Sequence, residues 1–146
     1  ELFRIPLFGK AMRNAGYIEI DRQHHERALA SIAEAAVKIR EGKSVMTFPE
    51  GTRSKDGRIK AFKQGMFYLA IESGVPIVPI SIIGASEIMP KRSLRVQAGT
   101  ITMVIDKPID VSGYTIETRE GLIEKVRGVI VRNFDEQEAL RRRSTG

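Results

Sequence analysis

With 146 residues, 42% hydrophobic and 29% charged, the chain is long enough for one domain with a substantial core and too apolar to be disordered. It contains no cysteine, which excludes disulfides, cysteine–zinc sites and thiol nucleophiles. Its only two histidines, His24 and His25, are adjacent, which argues against a histidine-rich metal site; a net charge of +6 and a pI near 9.8 favour anionic partners.

Taken in chain order, residues 1–15 read as a short helix after Ile5-Pro6, stopped by Gly16, and residues 17–20 as a short strand. From His25 to about Arg40, Leu29, Ile32, Ala33, Ala36 and Val37 recur at helical spacing, and Gly42 ends the pattern. The run 44–48 (SVMTF) has the length and composition of a buried strand. Residues 64–73 form a further helix with Met66, Leu69 and Ala70 on one face, stopped by Gly74. Residues 75–83 are apolar and β-branched; their two prolines predict an edge or extended wall first and a strand after it. Residues 84–99 read as irregular and basic, residues 100–105 as a strand continued briefly by Pro108-Ile109. Thr115 or Thr118 would cap a last helix with Leu122, Ile123, Val126, Val129, Ile130 and Phe134 on one face. The alternation of strands and helices predicts an α/β domain over residues 1–135, with residues 136–146 as a basic, frayed tail. No apolar run approaches the ~20 residues of a membrane-spanning helix.

The stretch that carries chemistry is Phe48-Pro49-Glu50-Gly51-Thr52-Arg53-Ser54. Pro49 stops the preceding extended run. Gly51 can take positive φ, so successive backbone N–H groups can face one concavity. Thr52 and Ser54 add hydroxyl donors, and Arg53 has a planar fork that matches phosphate. Residues 53–63 carry five basic side chains (Arg53, Lys55, Arg58, Lys60, Lys63) against one acid, Asp56. The loop suits an anion, and Glu50, which a phosphate would repel, should turn aside to a cation or a hydroxyl. Other patterns fail. Gly42-Lys43-Ser44 lacks the glycine a phosphate-binding P-loop needs at position 37, and Gly84-Ala85-Ser86-Glu87-Ile88 lacks the last glycine of a nucleophile elbow. His24 and His25 have no convergent nucleophile and read as a solvated helix start. The basic run has just Phe62 interleaved and no reader motif, so no nucleic-acid partner is expected.

In sequence, these segments resemble the glycerolphosphate acyltransferase family, above all the lysophosphatidate (1-acylglycerol-3-phosphate) acyltransferases. The resemblance rests on Gly16-Tyr17-Ile18-Glu19-Ile20-Asp21-Arg22, the loop 48–54, Phe62-Lys63-x-Gly65 and Val75-Pro76-Ile77-Val78-Pro79-Ile80, with a further match at residues 1–9. It implies a mixed β-sheet flanked by helices and acyl transfer from acyl-CoA or acyl carrier protein to the sn-2 hydroxyl of 1-acylglycerol-3-phosphate, giving phosphatidic acid. It implies Arg22, Glu50, Gly51, Thr52, Arg53 and Lys63 as acceptor and phosphate contacts, and Val75, Pro76, Ile77, Val78 and Pro79 as a wall beside the acyl donor. No metal or organic cofactor is implied, the acyl thioester being a co-substrate. A place at the cytoplasmic face of an anionic membrane is expected from the lipid substrates.

The family's catalytic His-x-x-x-x-Asp pair belongs upstream of the match at residues 1–9. Here the positions five after His24 and His25 are Leu29 and Ala30. The chain also opens on Glu1 within an amphipathic stretch, so the expectation is that the pair and the membrane anchor precede Glu1 and that this piece alone is inactive. Acylation of another acceptor, such as glycerol-3-phosphate or a lyso-ornithine lipid, and a non-catalytic phospholipid-binding module remain the alternatives.

Overall fold

The computed structural model describes residues 7, 10, 11, 14, 25–54, 57–90 and 95–144. The expected helix over 1–15 lies almost wholly outside them, and the strand over 17–20 lies wholly outside. The chain divides into two compact units, residues 1–45 and 46–146.

In the first unit, α1 spans His25–Arg40, as its periodicity predicts. Its end has the geometry of a Schellman stop: the N–H of Lys43 donates to Lys38 C=O (3.2 Å) and that of Gly42 to Ile39 C=O (2.9 Å). The buried stripe is Ile32, Ala35 and Ala36, with Ile39 half-buried, while Ala33 and Val37 are exposed. The apolar face is therefore turned slightly from the one the sequence suggests.

The second unit is built around α4, Arg119–Ser144. Its first turn is prepared by two threonines that cap each other: Thr115 N–H donates to Thr118 Oγ1 (2.8 Å) and Thr118 N–H to Thr115 Oγ1 (3.4 Å), the reciprocal pattern of a capping box. Leu122 and Val126 from α4 meet Phe67 and Ala70 from α2 (Gly65–Ser73), with Ile109 and Val111 closing the core. Phe62, Met66, Ile77, Ile123, Val129 and Ile130 pack around this cluster.

The sheet in the described residues is one antiparallel pair, β1 (Ile80–Ile83) with β2 (Thr102–Ile105), in register Ile80 to Ile105. It continues as an isolated bridge between Ile77 and Ile109, whose backbones exchange hydrogen bonds of 2.9 and 2.7 Å. Ser81 and Ile83 point to the α4 side, where the Ser81 hydroxyl donates to Ile130 C=O (3.4 Å). The opposite side of the pair leaves Ile82, Met103 and Ile105 exposed.

Three expectations need correction. The run 44–48 is not a strand: it has no ladder partner among the described residues, and Met46 and Phe48 are 63% and 71% exposed. A short apolar strand needs a paired edge to form, and composition cannot supply one. The segment 84–99 contains a one-turn helix, α3 (Ala85–Ile88), which follows the sharp turn at Gly84. Gly84 has φ 89°, and a Cβ there would lie 2.4 Å from Thr100 C=O, so glycine is required twice over. Third, residues 136–144, expected to fray, continue α4. Arg141 holds that end through ion pairs to Glu87 of α3 and to Glu138, and Arg141, Arg142 and Arg143 complement the helix dipole.

Between β2 and α4, Asp106 accepts hydrogen bonds from Lys107 N–H (2.7 Å), Asn133 Nδ2 (3.1 Å) and the Arg132 guanidinium (2.9 Å). The Lys107 N–H first, then the Asn133 amide and Arg132, hold its carboxyl below the usual 3.8. A carboxylate with a lowered folded-state pKa stabilises above its unfolded pKa, and that contribution is lost as pH falls through the folded value. Stability should therefore decline as pH drops below about 4, and Asp106→Asn should lower stability at pH 7 while flattening that acid slope in urea titrations. Separately, Leu122→Ala should cost ~2–5 kcal/mol by core truncation, whereas Ile105→Ala, at a position 64% exposed, should stay within about 0.5 kcal/mol of the parent.

Candidate functional site

The loop at residues 48–54 is turned by its own backbone and then held by the segment that returns beside it. Gly51, at φ 70°, donates its N–H to Phe48 C=O (3.0 Å), closing a turn over Pro49 and Glu50. Lys63 N–H donates to Pro49 C=O (2.7 Å), which places residues 59–63 alongside the loop. Lys60 makes two contacts to it: its N–H donates to Glu50 Oε2 (3.3 Å) and its ammonium to Arg53 C=O (3.1 Å). The centre of the turn and the chain leaving it are thus tied to one residue.

Glu50 is half-buried, and its carboxylate accepts a backbone N–H. Thr52 and Arg53 lie at the exposed side of the turn, and the Lys63 side chain is exposed beside it. The structure therefore brings together Glu50, Gly51, Thr52, Arg53 and Lys63, five of the six residues expected to bind the acceptor. Arg22, the sixth, lies outside the described residues.

The expected donor wall leads into β1 with alternating exposure. Pro79 is buried, Ile77 packs on the core and Val75 is half-buried, whereas Pro76 and Val78 face outward. Two of the five residues are thus open to solvent, and Ile77 shares its core with Phe62 of the segment behind the loop.

Sequence reasoning missed what stands behind the loop. Phe62 stacks on Phe67, with ring centroids 6.4 Å apart, and so fixes the 59–63 segment to α2. From α4, the Arg127 guanidinium donates to the C=O groups of Ile59 and Lys60, each at 3.4 Å. Arg119 donates to Gln64 Oε1 (3.1 Å) and lies over the Tyr68 ring, 5.1 Å from its centroid. A cleft of about 290 Å³ opens here, lined by Ala61, Phe62, Gln64, Glu120, Ile123, Glu124 and Arg127. The Arg119 and Arg127 hydrogen bonds span 55 to 68 residues, so no local pattern could announce them. Among the described residues no group of His, Asp or Glu is placed to hold a metal ion, and no helix is long and apolar enough to cross a membrane.

Residues 1–83 match the family model described as Acyltransferase, and the chain belongs to that family. It is 37% identical over 135 residues to the 1-acyl-sn-glycerol-3-phosphate acyltransferase of Limnanthes douglasii, covering 92% of this chain and 48% of that protein. It is 33% identical to the Escherichia coli K12 enzyme of the same name, covering 99% of this chain and 60% of that one. Its structure superposes on the crystal structure of the 1-acyl-sn-glycerophosphate (LPA) acyltransferase PlsC from Thermotoga maritima with a TM-score of 0.77 at 31% identity, covering 94% of this chain and 54% of that one. The chain spans about half the length of the relatives it matches. The fold is α/β, as its alternation of elements predicts, and the family model crosses the boundary between the two compact units.

Because Glu50 anchors Lys60 N–H, its charge is not what the loop geometry needs; an acceptor oxygen is. Glu50→Gln should leave amide hydrogen exchange at Lys60 nearly unchanged, and Glu50→Ala should accelerate it, as measured by mass spectrometry over residues 57–63. Equal exchange in the two variants would show that the side chain does not hold the loop.

Proposed function

We propose that the complete protein containing this chain moves a fatty acyl group from acyl-CoA or acyl carrier protein to the sn-2 hydroxyl of 1-acylglycerol-3-phosphate. The relatives described above bear the name 1-acyl-sn-glycerol-3-phosphate acyltransferase, and that name together with the family membership supports the reading. In the reaction the acceptor oxygen forms a bond to the thioester carbonyl carbon, the C–S bond breaks, and the hydroxyl proton ends on the leaving thiol. The base that relays this proton is assigned to the His-x-x-x-x-Asp pair of the complete protein, which these 146 residues do not contain. A thioester is already an activated electrophile, so a base and a place for the oxyanion are all the chemistry demands, and no resident cofactor is assigned.

The work given to this chain is to hold the acceptor. Arg53 supplies a fork for the phosphate, Thr52 a hydroxyl, Gly51 close backbone approach, and Lys63 and Arg22 further positive charge. Glu50 faces the glycerol part, where a hydroxyl can donate to it. Val75 to Pro79 stand beside the acyl donor, with Pro76 and Val78 the exposed contacts. The single observation that supports this assignment is the turn itself: a glycine at positive φ with Thr52 and Arg53 on the exposed side and its acid drawn back to a backbone N–H. A lipid acceptor would be met at an anionic membrane face, on the cytoplasmic side in this proposal, where Lys and Arg near the surface each contribute ~1 kcal/mol.

Arg53→Ala in the complete protein should raise KM for 1-acylglycerol-3-phosphate about 10- to 100-fold, the scale of a lost charge-assisted hydrogen bond, with little change in KM for acyl-CoA. Steady-state kinetics with each substrate varied in turn checks this; an unchanged acceptor KM removes Arg53 from the phosphate site.

A further inference from the structure

We infer that Arg127 is a positioning residue for the acceptor site, acting from α4 through the 59–60 backbone on the turn that carries Thr52 and Arg53. The inference rests on the reading of that turn as the phosphate site and extends it to a residue 74 positions from Arg53 in sequence.

The relay has three links. Arg127 follows Val126, which is 1% exposed in the core, so the helix is fixed where the guanidinium leaves it. Its Nη2 donates to Ile59 C=O and its Nε to Lys60 C=O, both at 3.4 Å. A planar fork can take two consecutive carbonyls in this way, and a single ammonium cannot satisfy both with the same geometry. Lys60 is the second link: its N–H holds Glu50 and its ammonium holds Arg53 C=O. Arg53 C=O is the third, because a backbone held there fixes the origin from which the Arg53 side chain reaches.

Arg127 also lines the cleft with Phe62, Ile123 and Glu124, next to the packing that secures the same segment from its apolar side. Phe62 anchors residues 59–63 by joining the apolar core, a largely non-directional attraction, and the hydrogen bonds then set the register. A misplacement of about 1 Å at a binding group can cost as much as 100-fold in rate. Core packing alone therefore leaves the loop less well defined than a phosphate contact requires, and Arg127 supplies the missing constraint.

The test compares Arg127→Gln, Arg127→Lys and Arg53→Ala in the complete protein, reading KM for 1-acylglycerol-3-phosphate, KM for acyl-CoA and Tm. Arg127→Gln should raise acceptor KM about fivefold, an intermediate loss on the scale of misplacement, with donor KM and Tm close to the parent. Arg127→Lys, which keeps the charge but gathers its donors on one nitrogen, should fall between. An acceptor KM unchanged in Arg127→Gln, or both KM values rising together with a lowered Tm, would overturn the positioning role. If Arg53→Ala also leaves acceptor KM unchanged, the phosphate-site reading fails first and the relay has nothing to position. If Arg53→Ala raises it and Arg127→Gln does not, the relay alone fails.

Discussion

The candidate site depends on the tie between the turn at residues 48–53 and the segment at 59–63. The turn leaves its arginine and threonine exposed, so burial does little to define its shape and backbone hydrogen bonding does more. Four hydrogen bonds, those of Gly51, Lys63 and the two from Lys60, convert it into a defined shape. Each is worth only ~1 kcal/mol net, so they fix geometry more than they add stability. The stability behind them comes from Phe62, whose ring joins the core through Phe67.

Helix α4 organises the rest of the second unit by a division of labour along its length. Leu122 and Val126 enter the core, while four arginines reach four different segments: Arg119 to Gln64 and Tyr68, Arg127 to residues 59–60, Arg132 to Asp106, and Arg141 to Glu87. Half-exposed contacts of this kind are individually weak. Their directionality sets how the loop segments register against the helix once apolar burial has brought them together. The same interactions explain why α4 reaches Ser144: its last turns contain good helix formers and a tertiary partner at Glu87, where a solvated tail would have neither.

What was legible in the sequence was whatever local periodicity and chain stops encode. The bounds of α1, the helix ending before Gly74, the strand after Pro79, the strand before Asp106 and the buried face of α4 all follow from spacing and from glycine and proline. The turn and its flanking residues were legible because each residue type there has a narrow physical use. What was not legible depends on partners distant in the chain. The run 44–48 reads as a strand and lacks a paired edge among the described residues. Asn133, a polar residue of the last helix, is buried against Asp106, 27 residues away. Arg127 belongs to no pattern the sequence singles out, and only the fold shows the carbonyls it reaches.

The position of Glu50 resolves a conflict that the sequence poses. A carboxylate and a phosphate 4 Å apart repel by about 4 kcal/mol at an effective dielectric near 20, more than one arginine contact would return. A glutamate inside a loop proposed to hold phosphate is tolerable only if something else fixes where its charge points. Lys60 N–H does so, holding Oε2 on the side of the returning segment, while the lysine's own ammonium lies at the far end of the turn on Arg53 C=O. One residue thereby draws the negative charge back and brings a positive charge forward. If the turn is the acceptor site proposed above, this arrangement suits a ligand that is anionic at the Arg53 end and an uncharged hydrogen-bond donor at the Glu50 end, and not one with negative charge at both. A glycerol phosphate bearing a free hydroxyl has that asymmetry; a bis-phosphate or a nucleic-acid backbone does not.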